Sequence, residues 1–222
     1  MNKHASIYDA SSASEVAQLT AIKGLVETGA FFHQNRWSYG TSSNYSVVLS
    51  HDPLRILITA SGRDKSKLTP SDFVIVDETG RPIDPKDPKP SAETLLHVVA
   101  AKEAGAGAIL HTHSIWGTLL SEVFSDKKGI KMEGLEMLKG LSGIETHATS
   151  KWIEIFENTQ HIPDLAAIIR GRLIDRKNPL KHGYLIRGHG LYTWGRDLDE
   201  ARRHVEILEF LFELHGRLLS IR

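Results

Sequence analysis

Tyr184-Leu185-Ile186-Arg187-Gly188-His189-Gly190-Leu191-Tyr192-Thr193-Trp194 is the stretch that decides the fold. Tyr184–Ile186 and Leu191–Trp194 are short runs of β-favouring residues, and the segment between them, framed by Gly188 and Gly190, reads as a tight turn. Directly downstream, Asp197–Ser220 carries Leu198, Ala201, Val205, Leu208, Leu211 and Phe212 at helical spacing, with Asp197 and Glu200 placed as a capping pair. A strand pair followed by a helix with one apolar stripe needs a sheet for that stripe to cover. This is the grammar of an α/β protein.

The same alternation extends outward from this stretch. Tyr45–Ser50, Ile56–Thr59 and Phe73–Val76 read as strands separated by His51-Asp52-Pro53 and Ser61-Gly62, close enough to pair as antiparallel neighbours, and Ala108–Leu110 is a buried strand leading into His111-Thr112-His113. Helices are predicted over Ser14–Thr28, with Gly29 as its stop, and over Ser91–Glu103, Ile115–Phe124 and Leu165–Ile174. Asp84–Pro90 is an exposed connection and Ser125–Gly129 a polar loop, while Ile130–Gly143 fits no regular element. No repeat or linker divides the chain. Residues 1–222 are expected to form one α/β domain, an antiparallel sheet with helices on its faces.

Composition supplies exclusions. The 222 residues hold 27 Lys plus Arg against 27 Asp plus Glu, so no basic surface for nucleic acid is advertised. There is no cysteine, which removes disulfides, thiolate ligands and cysteine nucleophiles, whereas the 12 histidines leave imidazole and carboxylate for any metal. No run approaches the roughly 18 to 20 apolar residues of a membrane span, and the polar Met1–Ala13 shows no signal peptide, so the expected compartment is the cytoplasm.

His111 and His113 sit two apart at a strand end and therefore project from one face, which is half of a metal site wanting further nitrogen or oxygen ligands. Surface histidines would give the same pattern. His189 stands between two glycines, either because they let backbone approach a ligand or because a hairpin turn needs them. Glu93 and His97 are four apart on the predicted helix and share a face, so Glu93 is a surface residue or a metal ligand or proton shuttle at a cleft mouth. Glu136, amid Gly134-Leu135 and Met137-Leu138, would suit a general base if buried beside a cation; a solvated glutamate is the plainer reading, and Glu133 competes with it. The turns around Asn44, around Ser61 and Gly62, and at Ser91 offer hydroxyls and amides for an anion, to which Lys65 could add charge.

Taken in order, Ser43-Asn44, Ser61-Gly62, Ser91-Ala92-Glu93 with His97, His111-Thr112-His113-Ser114 and Gly188-His189-Gly190 resemble the class II aldolase and epimerase family of sugar-phosphate enzymes, over nearly the whole chain. The resemblance implies a three-layer α/β/α fold around a mainly antiparallel sheet. It also implies zinc on His111, His113 and His189, and a homotetramer with active sites between subunits. Within the family, 108–114, 134–140 and 185–195 are most similar to enzymes that remove water from 5-methylthioribulose 1-phosphate to give a 2,3-diketo phosphate. That likeness makes Glu136 the base and Glu93 an auxiliary ligand or acid, whereas likeness to the aldolases gives the proton work to Glu93. Retro-aldol cleavage and 4-epimerisation on the same ligands stay open. Phosphate recognition falls to Asn44, Ser61, Gly62, Ser91 and Lys65, although Ala92 stands where aldolases often have a second serine. The segment 144–160, with Trp152 and Phe156, is either a wall for the methylthio tail or core.

Overall fold

A computed structural model of the chain describes the backbone of residues 5–221 and the side chains of residues 14–221. The first four residues of the polar N-terminal stretch lie outside the described residues. The elements are α1 (Ala5–Gln34), β1 (Asn44–His51), β2 (Leu54–Thr59), β3 (Phe73–Val76), α2 (Thr94–Glu103), β4 (Ala108–Thr112), α3 (Ile115–Val123), β5 (Gly129–Glu133), β6 (Ser150–Phe156), α4 (Ile162–Leu173), β7 (Gly183–Ile186), β8 (Gly190–Gly195) and α5 (Leu198–Ile221). The eight strands form one sheet in the order β3-β2-β1-β4-β8-β7-β6-β5, and every pairing is antiparallel except β6 with β7.

Period-2 alternation divides the apolar residues between two cores. Ile56, Ile58, Ile109, Tyr184, Ile186, Tyr192 and Trp194 face one side, where α2 and α4 contribute Leu96, Val98, Leu165 and Ile169. Leu57, Ala108, Leu110, Leu185 and Leu191 face the other side, covered by Leu25 and Phe32 of α1, Leu120 of α3 and Leu208, Leu211 and Phe212 of α5. The result is a three-layer α/β/α fold with a mainly antiparallel centre. No helix among the described residues is long and apolar enough to cross a membrane.

Several boundaries depart from expectation for identifiable reasons. Gly29 does not stop α1; the helix runs on to Gln34, and Gly29 is where it presses on another segment, since a Cβ there would lie 2.4 Å from the Lys65 carbonyl oxygen. Helix α2 begins at Thr94 rather than Ser91, because Thr94 turns back to give both its N–H and its hydroxyl to the Ser91 carbonyl. Asp197 caps α5 by accepting from the Glu200 N–H at 2.8 Å, but the Glu200 carboxylate accepts from Arg196 N–H and not from Asp197, so the capping pair is half formed. The unassigned region contains β5, in which Ile130 and Met132 are buried and Lys131 and Glu133 exposed, and a 3-10 turn over Glu136–Gly140. Its partner β6 also escaped the sequence reading, and Ser125–Lys127 in the polar loop is a further 3-10 turn.

Candidate active site

Strand β4 ends at Thr112, and alternation along it places His111 on the α2/α4 side with Ile109. His111 lies opposite Tyr192 of β8, and the two rings stack with centroids 4.1 Å apart and planes 13° from parallel. His113 follows with its ring centroid 4.5 Å from that of His111. Thr112, between them, points to the opposite side and donates to the buried Glu209 carboxyl of α5 at 2.7 Å. The β7–β8 turn delivers His189, whose ring centroid is 4.8 Å from that of His111 and 4.6 Å from that of His113. Both flanking glycines have backbone reasons. Gly188 adopts φ +59°, and a Cβ on Gly190 would sit 2.0 Å from the Thr112 carbonyl oxygen, so only glycine lets β8 start this close to β4. The glycines serve the turn and the strand contact, and through them fix where His189 stands.

The three imidazoles offer ring nitrogens that all lie within 4.8 Å of one another. The Nδ1–H of His111 donates to the Leu191 carbonyl at 2.9 Å, which leaves its Nε2 lone pair 3.2 Å from Nε2 of His189. Burial, reinforced by neighbouring imidazoles, holds His111 well below the usual histidine range. Burial, then His189 and the Lys65 ammonium, brings His113 down to about 4. Three converging imidazoles with no thiolate nearby are the donor set of a zinc-type cation, and His189 Nδ1 is buried without a partner. The residues fit a metal, and the Leu191 carbonyl supplies the outer contact that orients such a ligand.

Glu93 faces this cluster. Its Oε1 is 3.4 Å from His189 Nε2, and its Oε2 is 3.6 Å from His111 Nε2. Two donors hold Oε2, the Tyr192 hydroxyl at 2.8 Å and the Asn44 amide at 2.7 Å. The Asn44 carbonyl accepts in turn from Nε2–H of His97, whose Nδ1 accepts from the Ser46 hydroxyl at 2.7 Å. His97 is fully buried, and burial lowers its pKa to about 3, so it is a neutral relay. Glu93 is therefore not on a helix face with His97. It precedes α2, and Asn44 at the start of β1 joins the two side chains.

Glu93, His113 and His189 open into a cleft of about 290 Å³ that Asn44, Ser61, Gly62, Lys65 and Ser91 also line. Lys65 is 2% exposed and donates to the Arg63 carbonyl at 2.6 Å and the Thr41 carbonyl at 3.4 Å; burial brings it down to about 8. A buried ammonium that keeps its charge at neutral pH, beside turn hydroxyls, is a receptor for an anion. Asn158, Thr159, Gln160 and Ile162 complete the wall. Of the 144–160 segment expected as a wall, only its end reaches the cleft; its two aromatics lie elsewhere, Phe156 in the core and Trp152 over Gly129 on the β5–β6 pair.

Glu136 does not reach the histidines of its own chain. It opens the 3-10 turn after β5, its side chain is 67% exposed, and its carboxylate pairs with Lys139 at 2.7 Å and His147 at 3.3 Å. The Lys139 hydrogen bond and charge lower its pKa, so the expected buried position beside a cation is replaced by a solvated one. Glu133 is exposed as well and pairs with Lys131. Tyr192 and Ile162 escaped the sequence reading, whereas Asn158, Thr159 and Gln160 fall at the end of the 144–160 segment expected to form a wall.

Residues 23–215 match the family described as Class II Aldolase and Adducin N-terminal domain. A methylthioribulose-1-phosphate dehydratase of Marinobacter nauticus is 42% identical over 204 residues, covering 91% of this chain and 96% of that protein. One from Methylococcus capsulatus is 44% identical over 199 residues, covering 89% and 94%. Among solved structures, an L-fuculose 1-phosphate aldolase superposes with TM-score 0.74 at 20% identity, covering 91% of this chain and 87% of that one; at that identity it bears on the fold alone.

Proposed function

The chain belongs to the class II aldolase family, and from that premise we propose that it dehydrates 5-methylthioribulose 1-phosphate to 2,3-diketo-5-methylthiopentyl 1-phosphate, a hydro-lyase step of methionine salvage. The observation that carries the reading is a cluster of three imidazoles, two of which line a cleft together with a fixed carboxylate and a buried lysine among turn hydroxyls. It acts as one domain, in a cytoplasmic homotetramer.

His111, His113 and His189 would hold a zinc ion, which would supply Lewis-acid stabilisation of the charge developing on the substrate carbonyl. Lys65, Ser61, Gly62, Asn44 and Ser91 receive the phosphate, fixing the pentulose chain against the histidines. Dehydration removes the C3 proton, expels the C4 hydroxyl after it gains a proton, and ends when the enol tautomerises. Glu93 is the carboxylate placed for proton work within one chain: Tyr192 and Asn44 immobilise Oε2 and leave Oε1 toward the histidines. Glu136 keeps its role as base where a second copy brings it to the cleft, and its exposure leaves it free to be presented that way.

Zinc-loaded protein incubated with the substrate should develop diketone absorbance; zero turnover would end the dehydratase reading. Cleavage of a deoxyketose 1-phosphate under the same conditions would put an aldolase in its place. Co-assembling Glu136→Gln chains with His111→Ala chains tests the division of labour. Activity returns in mixed oligomers if the base comes from a neighbour, and stays absent if each site is self-contained.

A further inference from the structure

A second polar cleft lies at the other end of the sheet. His182 precedes β7 and His189 follows it, so the two mark opposite ends of that strand, about 16 Å apart at the usual rise per residue. Because β6 runs parallel to β7, Lys151 at the start of β6 lies at the His182 end. Lys151, Lys181 and His182 line a cleft of about 400 Å³ with Arg172, Glu154 and Asn178.

Charge in this cleft is unbalanced. Arg172 is paired with two carboxylates, Glu154 at 3.0 Å and Asp175 at 2.7 Å, which together exceed its charge by one, so with Lys151 and Lys181 the surroundings keep a net positive charge of one. Neither Lys151 nor Lys181 has an ion-pair partner among the described residues. Burial first, and then the neighbouring Lys181 ammonium, lower Lys151 to about 8. His182 donates from Nε2 to the Ser142 carbonyl at 2.7 Å, so its Nδ1 carries a lone pair, and that atom is buried with no partner. The cleft thus presents two ammonium groups without an ion-pair partner, Lys151 half-buried and Lys181 exposed, and one acceptor without a donor. Leaving a partly buried ammonium uncompensated is costly, and so is orphaning a buried acceptor.

We propose that this cleft is a second ligand site, distinct from the histidine cluster, for a phosphate group that retains one proton. Phosphate oxygens answer Lys151 and Lys181, and the remaining P–O–H donates to His182 Nδ1. Sulfate has the same shape and charge but no O–H at neutral pH, so it satisfies the lysines and leaves the histidine orphaned.

Calorimetric titration of the full chain with inorganic phosphate at pH 7 should show two classes of site. Lys65→Met should remove the class in the histidine cleft, and the paired change Lys151→Met with Lys181→Met should weaken the other at least tenfold. Methionine keeps the bulk of the lysine stems, and a thermal melt checks that the paired variant folds; His182→Asn alone should lower the affinity without touching either charge. Sulfate should bind the second class at least tenfold more weakly than phosphate. Tighter binding of ribose 5-phosphate than of inorganic phosphate would identify a sugar phosphate as the ligand, and the reverse order the free ion. Equal affinity for sulfate, or phosphate binding undisturbed by the lysine changes, overturns the proposal. So does loss of oligomer in the paired variant with no phosphate binding in the parent, which would make the cleft a contact between copies.

Discussion

Replacing Glu209 by Gln should make the protein more stable in mild alkali and leave it unchanged in acid. Glu209 is 3% exposed on α5, and its carboxyl meets the Thr112 hydroxyl between two of the candidate metal ligands. Burial raises its pKa from 4.5 to about 7, against the lowering effect of hydrogen bonds from Ser114 and Thr112. The folded chain keeps a proton that the unfolded chain releases. The stabilising contribution is therefore whole below about pH 4.5 and lost as the pH rises through about 7. At about 1.4 kcal/mol per tenfold change in proton affinity, the loss amounts to about 3 kcal/mol. Gln fills the same space and keeps an oxygen for Thr112, but never ionises. Urea unfolding of both proteins at pH 4.5 and pH 8 should give matching midpoints in acid and a variant more stable by about 3 kcal/mol at pH 8. The buried histidines titrate alike in both proteins and drop out of the difference. A difference that is the same at both pH values would refute the assignment of a buried, protonatable Glu209.

Other changes report on the site directly. Gly190→Ala places a methyl 2.0 Å from the Thr112 carbonyl oxygen, so β4 and β8 must separate by about 1 Å; we expect a loss of about 2 to 4 kcal/mol by calorimetry and reduced metal stoichiometry, and an unchanged melt would show that the strands have slack. Tyr192→Phe removes one of the two donors on Glu93 Oε2 and should lower kcat about tenfold or more with KM and metal content little changed; unaltered kcat would mean that Asn44 alone suffices. The Tyr45 hydroxyl, buried and bonded to Ser38, is raised far above the usual phenol range by burial, so the folded chain keeps a proton that the unfolded chain loses above about pH 10. Wild-type stability should accordingly fall more steeply than that of Tyr45→Phe between pH 10 and pH 11, and parallel slopes would contradict it.

What could be read from the residues depended on how local the cause was. His111 and His113 follow from a two-residue period, and the β7–β8 hairpin from two glycines, because strand geometry settles both within a few residues. Glu93 was singled out for a helix face it does not occupy; the bond that joins it to His97 passes through Asn44, 49 residues away from Glu93 in the chain. The role of Tyr192 depends on cross-strand register, which no single strand encodes. Gly29 resembles a helix stop and is a packing contact, because what it touches is a carbonyl 36 residues on. Strand β6 finds its parallel neighbour only after α4 has crossed between them, so its short alternation had no local companion to be read against.

That crossover has a consequence for dynamics. The β5–β6 pair joins the rest of the sheet through a parallel register of only Ile155 with Leu185 and Phe156 with Ile186, aided by the Arg187 amide on the Phe156 carbonyl. The hydrogen-bonded seam is short, and the pair is held otherwise by Ile130, Met132, Ile153 and Ile155 packed on α5. Amide exchange in β5 and β6 should proceed by sub-global opening, while β4 and β8, joined over five residue pairs, exchange near the global limit. The Glu136 turn follows directly from β5 and is pinned to α5 by the buried Leu138, so faster exchange in β5 that stops short of residues 136–140 would place the limit of that unit at this contact.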